Sequence, residues 1–390
     1  MNFKDEFQKY DIDEENNLRY KRDLEERLSK KSRIAFYERP KSLMKGNLLF
    51  ASALFATSLF LIHFVASFFE NENVTANTII EDFSFFISIL CGVGFYLINL
   101  AADKLRSFIV NLVDLTRDVN REKAESFFKI YITDFLSKKR QLLFGLIFGA
   151  LNVIVALILG VCYQEMKYYY VFTTLMIQIF IIGFIGGISV NQTIVVLKLI
   201  DKISVKDDIN LKHFYPDKCA GTLIIGDILF RFSIYFITIG IFIFIFMHNF
   251  EWTNLKNGFA YKYYVKGLAI FWEIFPFLLA AAIFFLPAKK INSILDEYKV
   301  FEQLKIRKRL KHLSDLMLDL KPENPDSKQK LKVLNHHFKR LEKIDSSLEE
   351  LNTWPYDFKY RATFLSVFIP VCVAVILEIT KQIISNFLQF

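Results

Sequence analysis

Glycine and proline are scarce, at 14 and 8 among 390 residues. That excludes collagen-like and low-complexity chains and leaves long stretches free to be helical. Cysteine is scarcer still, at four. Cys91, Cys162, Cys219 and Cys372 are scattered, with no Cys-x-x-Cys pair and no histidine at metal spacing beside them. Neither a structural disulfide nor a metal site is expected from them. Catalytic signatures are also missing. There is no His-Glu-x-x-His, no Gly-x-Ser-x-Gly, no phosphate-cradling glycine loop and no Gly-x-Gly-x-x-Gly after a strand, so the expectation is no enzyme and no cofactor. The highly charged start of the chain has no apolar core ahead of a small-residue cleavage site, so no signal peptide is read there. The first apolar run has to serve as the insertion signal.

What is abundant is apolar surface. Hydrophobic residues make up 53% of the chain and aromatic residues 16%, with 43 Phe, and the mean hydropathy is +0.29. This is the composition of a membrane protein. A span takes about 20 mostly apolar residues. Seven stretches qualify: Asn47 to Phe69, Phe83 to Ala102, Leu142 to Tyr163, Tyr170 to Leu197, Leu223 to Met247, Gly267 to Leu286, and Ala362 to about Phe387. The expected fold is therefore all-α, a polytopic transmembrane bundle of about seven spans.

Loop charge orients it. Lys30, Lys31, Arg33, Arg39, Lys41 and Lys45 precede the first span, whereas the first connection holds Glu70, Glu72, Glu81 and Asp82 with no Lys or Arg. The following connections swing from basic to poor in cations and back, with the Trp252 to Lys266 loop as the weakest step. Positive loops stay inside, so the N-terminus is expected in the cytoplasm and the C-terminus outside. The net charge of +8 is thus accounted for by topology rather than by nucleic acid. Tyr168, Tyr169, Tyr170, Trp252, Tyr261, Tyr263, Tyr264 and Trp272 form an outer aromatic belt, and Trp354 and Tyr360 an inner one.

Four regions follow. Residues 1–46 are a charged cytoplasmic arm. Residues 47–287 hold spans one to six, with an amphipathic cytoplasmic helix over 103–140 marked by Leu105, Phe108, Ile109, Leu112, Phe127, Phe128, Tyr131 and Phe135. Residues 288–361 read as a cytoplasmic coiled-coil-like helical hairpin. Ile306, Leu310, Leu313, Met317 and Leu320 step by four and three, Leu331, Leu334, Phe338 and Leu341 repeat the spacing, and Pro322 and Pro325 break the helix between them. Each arm would project about 35–50 Å. Residues 362–390 are the seventh span.

Ionisable and amide side chains inside spans cost about 2.5–3.5 kcal/mol when charged and turn toward an interior, a partner or water. Depth sorts them into two groups. Toward the inner side lie Asn99, Asn191, Gln192, Asp227 and Arg231; toward the outer side lie His63, Glu273, Glu378 and Lys381. Asp227 and Arg231 are four apart and Glu378 and Lys381 three apart, the spacings of helix-surface neighbours, which suits either intrahelical pairing or two rings along a water-filled path. Gly145 and Gly149 in the third span and Gly183, Gly186 and Gly187 in the fourth permit close helix packing, more within the chain than between copies. The loop before the fifth span runs from His213 to Thr222; Asp217, with Lys212 and Lys218, is the candidate for binding a cytoplasmic ligand, and Gly221 allows positive φ.

Two short motifs carry a resemblance. Pro216-Asp217-x-x-small-Gly221 before a span and Trp354-Pro355-Tyr356 before the last one resemble a pattern of uncharacterised bacterial multi-span membrane proteins. The resemblance implies a bacterial inner-membrane location and assigns no activity. Seven spans with an inside N-terminus also resemble, in topology, insect chemoreceptor channels, although the Thr-Tyr of their last span is missing here. Long basic cytoplasmic helices, an odd span number and polar side chains at two depths favour an oligomeric ion channel or pore gated through those helices. The alternatives are a membrane scaffold or sensor acting on a soluble partner through residues 288–361, then a secondary transporter, then a membrane enzyme. Against the transporter stand the lack of an internal repeat and a mid-depth polar set of only Asn152 and Gln178. The expected partners are the lipid bilayer and further copies of the chain.

Overall fold

The computed structural model describes residues 19–28, 30, 34–44, 46–70, 83–112, 121–158, 168–203, 211, 218–249, 266–319 and 325–388. Most of these residues are helical, and there is no strand among them. Helix α1 covers 19–28. A short 3-10 turn, Phe36–Glu38, leads into α2, Arg39–Leu43. The longer helices are α3 (Leu48–Phe69), α4 (Phe83–Asn111), α5 (Arg121–Ile130), α6 (Lys138–Ile158), α7 (Tyr169–Ile203), α8 (Leu223–Asn249), α9 (Lys266–Leu318), α10 (Pro325–Glu349) and α11 (Phe358–Leu388).

Among the described residues, six helical stretches are long and apolar enough to cross a membrane: Leu48–Phe69, Ser84–Asn111, Lys138–Ile158, Tyr169–Lys202, Leu223–Ile245 and Glu273–Leu318. Such helices satisfy every backbone polar group internally, which a bilayer demands. The chain is a helical multi-pass membrane protein. The seventh expected stretch lies in α11, a continuous helix of 31 residues that is not one of these six. The hub is α4, with 67% of its apolar stretch buried against 22% for α3 and 28% for α6. The outer faces of α3 and α6, with Leu49, Phe50, Ile62, Leu143 and Ile147 more than half exposed, belong against acyl chains.

Helix ends are fixed by side chains. Asn47 caps α3 by accepting from Phe50 N at 3.0 Å. At the other end of α3, the Glu70 carboxylate accepts from Tyr170 N at 2.8 Å and Val171 N at 3.2 Å. It thereby caps the start of α7, where a negative charge also suits the helix dipole. The glycine patches pack α6 on α7. A Cβ at Gly149 would meet the Phe180 ring at 2.7 Å, and one at Gly183 would meet the Phe148 carbonyl oxygen at 2.7 Å.

The amphipathic region divides. Leu105, Phe108, Ile109 and Leu112 are buried as α4 continues past its expected end, and Phe127, Phe128, Tyr131 and Phe135 are buried along α5 and the single π-helical turn Tyr131–Phe135. The N-terminal segment is more embedded than its composition suggests. Leu24 and Leu28 are buried, and Arg27 pairs with Glu125 at 2.6 Å and lies over the Phe128 ring at 4.3 Å. Tyr37 and Glu38 are buried too. Glu38 pairs with Arg106, whose guanidinium also reaches Asp103 at 2.9 Å and the Tyr131 hydroxyl at 3.1 Å. Lys41 pairs with Asp103. Burial pushes the Tyr131 phenol up to about 12, so it faces Arg106 as a neutral hydroxyl.

Helix α9 runs 53 residues through Pro276 and Pro287. Beyond Pro287 it lies antiparallel to α10: Lys299 Nζ donates to Glu349 O at 2.8 Å, and Arg307 pairs with Asp345 at 3.3 Å and Glu349 at 3.0 Å. Ile306, Leu348 and Leu351 are buried between them. Leu310, Leu313, Met317, Leu334, Phe338, Leu341 and Ile344 are half-buried and Leu331 is exposed, so the contact loosens toward the far end. Leu320 and Pro322 lie outside the described residues, and α10 begins at Pro325, where a missing N–H costs a helix nothing.

Candidate functional site at the basic end of the bundle

The described end of the first motif, from Lys218 on, meets the segment that leads into the second, more than 130 residues away, while Pro216 and Asp217 lie outside the described residues. The turn before α8 holds Lys218 at φ 53°, Ala220 at φ 54° and Gly221 at φ 90°. The first two are side-chain-bearing residues in the left-handed region, a conformation that costs about 1–2 kcal/mol per residue. Asn352 holds the turn by donating from its N–H to Lys218 O at 2.9 Å, and Lys218 pairs with Glu350 at 3.3 Å. Thr222 closes it, donating its hydroxyl to Cys219 O at 2.7 Å.

From the other side comes the connection 351–357. Trp354 N donates to Asn352 Oδ1 at 3.2 Å, and Asp357 caps α11 by accepting from Tyr360 N at 2.8 Å. The Tyr356 hydroxyl donates to Phe284 O at 2.6 Å. That carbonyl is next to the Ile283 carbonyl, which Pro287 leaves without its helical donor, so the ladder is loosened where the Tyr356 hydroxyl enters. The Tyr356 ring stacks on Phe284 at 4.2 Å, Phe284 on Phe364 at 3.9 Å, and Phe364 on Phe368 at 5.0 Å. One column of four rings therefore joins the connection, α9 and α11. Gly226 makes the approach possible. A Cβ there would overlap the Pro355 carbonyl oxygen and lie 2.7 Å from its carbon.

Beside this column the Asp227 carboxylate accepts from Arg231 Nε at 2.8 Å and from the Tyr360 hydroxyl at 3.0 Å. The expected one-face pairing of Asp227 and Arg231 is present, and Tyr360 extends it to α11. Both charged side chains are about one-third exposed. Asp227 and Tyr360 line a cleft of about 290 Å³ between α4 and the start of α8.

The remaining predicted residues are spread over the bundle. Gln192 donates to Tyr37 OH at 2.6 Å and Ile98 O at 2.9 Å, fastening the N-terminal segment to α4 and α7. Asn191 donates to Asp134 O at 3.5 Å and Asn99 to Phe95 O at 2.9 Å; both are fully buried, and the side-chain oxygen Oδ1 of each meets no hydrogen-bond donor among the described residues. His63 lies 2.9 Å from the Thr174 hydroxyl and is buried, as is Glu273. At mid-depth, Gln178 donates to Leu59 O at 3.0 Å and Asn152 to Ile179 O at 2.7 Å. Lys381 is exposed on α11. The side chain of Glu378, and all of Lys212 and Asp217, lie outside the described residues.

Sequence reasoning missed Tyr356, Phe284, Gly226 and Asn352 as parts of one site. The signals were Pro287 one turn beyond Phe284 and an Asp cap three residues before Tyr360. Among the described residues no group of three or more His, Cys, Asp or Glu could hold a metal ion. What the junction can do is mechanical and electrostatic: it ties the position of α9 to that of α11 next to a charged cleft. The chain matches no protein-family model, no curated protein and no solved structure, so its own side chains carry the functional reading.

Proposed function

We propose that the protein is one subunit of a homo-oligomeric ion channel or pore, with α11 along the conduction path and the α9–α10 pair as the cytoplasmic gate element. The observation that carries this is the uncovered face of α11. Among the described residues α11 packs on its own chain through Tyr360, Phe364, Phe368 and Val371. On the opposite side Thr363, Ser366, Pro370, Thr380 and Lys381 are exposed, interspersed with Ile369, Val373 and Leu377. Ser366 and Thr380 satisfy their hydroxyls on their own helix, so the costly group on this face against acyl chains is the Lys381 cation, which a shared aqueous axis would accommodate. Pro370 adds to this by freeing the Ser366 carbonyl one turn earlier. This reading keeps seven spans, a cytoplasmic N-terminus, an outside C-terminus and a bacterial inner-membrane location, and it assigns no catalytic role.

The test is flux. Purified protein in liposomes passes ions, and Lys381→Glu shifts the cation-to-anion preference toward cations, as a reversed ring charge should. Liposomes that stay tight under voltage, or a selectivity indifferent to K381E and S366K, would refute the assignment. A second reading is supported by Val300, Phe301 and Leu304, more than half exposed on α9. They suit a soluble protein partner, and a scaffold would lose that partner when Phe301 becomes Asp while ion flux stays absent.

A further inference from the structure

Helix α4 turns Lys104, Ser107 and Asn111, at helical spacings of three and four, onto the cleft beside α8 and Tyr360. The walls are of two kinds. Phe108 and Ile228 are buried apolar surface and Ile224 is half-buried, while Lys104, Ser107, Asn111 and Tyr360 are polar. The charges at the cleft do not cancel. Asp227 already faces Arg231 at 2.8 Å and the Tyr360 hydroxyl at 3.0 Å, so its charge is answered within the protein. Lys104 is half-buried and makes no ion pair among the described residues, although its neighbours Lys41 and Arg106 both engage Asp103.

A spare cation beside an apolar wall, at the basic end of a membrane helix, suits an anion that continues into hydrocarbon. We propose that this cleft binds the phosphate of an anionic phospholipid. Lys104 supplies the counter-charge, Ser107 and Asn111 supply hydrogen bonds, and Phe108 and Ile224 pack on the glycerol and upper acyl carbons. A volume near 300 Å³ is at the small end of ligand sites. It accommodates a headgroup and leaves the acyl chains outside along α4 and α8. A soluble phosphate would have no use for the apolar wall. The inference rests on membrane residence and not on conduction, so it and the channel reading can fail separately.

The experiment uses the full chain in nanodiscs of phosphatidylcholine, alone or with a minority of phosphatidylglycerol, and reads lipid retention by native mass spectrometry with competition. The wild type retains phosphatidylglycerol over phosphatidylcholine. Lys104→Ala weakens that preference about tenfold, the loss of one charge-assisted phosphate contact. Lys104→Arg keeps the preference, and so does Lys308→Ala, which removes an exposed cation on α9. Equal melting of K104A and wild type in phosphatidylcholine alone shows the variant folded. Undiminished preference in K104A, or equal loss in K308A, overturns the proposal. So does inorganic phosphate competing as well as phosphatidylglycerol, which would assign the cleft to a soluble anion.

Discussion

Replacing Gly226 by alanine should cut the junction loose. The added carbon would overlap the Pro355 carbonyl oxygen and lie 2.7 Å from the Pro355 carbonyl carbon and 2.9 Å from Tyr356 Cδ1. Carbon contacts are comfortable at about 3.5–4.0 Å, so the connection must retreat by about 1 Å. Backbone cannot swing aside as a side-chain tip can. The retreat pulls Tyr356 off Phe284, and such an aromatic pair is worth about 0.5–1.5 kcal/mol beyond its buried area. It also strains the 2.6 Å bond to Phe284 O, worth about 1 kcal/mol. Overpacking itself costs roughly 1–3 kcal/mol, against about 1 kcal/mol gained in helix propensity. The net is a loss of about 1.5–4.5 kcal/mol. Gly186→Ala is the control: it too lies in a helix, and a Cβ there meets nothing within 4 Å. It should be neutral or stabilising by up to about 1 kcal/mol. Thermal unfolding in detergent, followed by intrinsic fluorescence with Trp354 as a local reporter, compares the two. Melting of G226A at or above the wild type would refute the close-approach argument.

Two other outcomes are specific. Arg106→Ala leaves Glu38, only 4% exposed, without its guanidinium, a loss of about 3–5 kcal/mol; the double variant E38A/R106A should be more stable than R106A alone, and strict additivity in the thermal-melt cycle would show that the pair is not coupled. Burial pushes Asp134 up, but the hydrogen bond from Lys198 and the charge of Arg140 outweigh it and hold the carboxyl below its ordinary value. Its stabilisation is then present above the unfolded-state value and lost as pH falls through the lower folded one. Asp134→Asn should therefore flatten the acid limb of the melting-temperature profile, and parallel acid limbs would contradict the assignment.

The helices were legible because hydropathy repeats along the chain. The first six apolar stretches coincide with α3, α4, α6, α7, α8 and α9, except that the third runs on to Tyr163, outside the described residues, and the three-four spacing after Pro287 anticipated the long α9 and its antiparallel partner α10. Long-range polar contacts carry no such periodicity. A sequence marks Gln192 or His63 as costly in a span, yet nothing in it says that Tyr37 or Thr174 will answer them. Likewise Glu38 and Arg106 are 68 positions apart in charged segments of ordinary composition, and only the fold reveals one as the buried partner of the other. The junction was half legible. Pro355, Gly221 and Asp227 stood out individually, while the column through Phe284 depends on three elements arriving together.

Beyond Pro287 the rest of α9 holds neither glycine nor proline. Thirty-one residues of unbroken helix span about 45 Å, and α10 is tied along them through Lys299 and Arg307, so the two helices stiffen each other as one lever. At the base of that lever Phe284 is clasped between the rings of Tyr356 and Phe364, which belong to other elements. A tilt imposed near Leu318 would therefore press on Tyr356 and Phe364 and, through them, on α11.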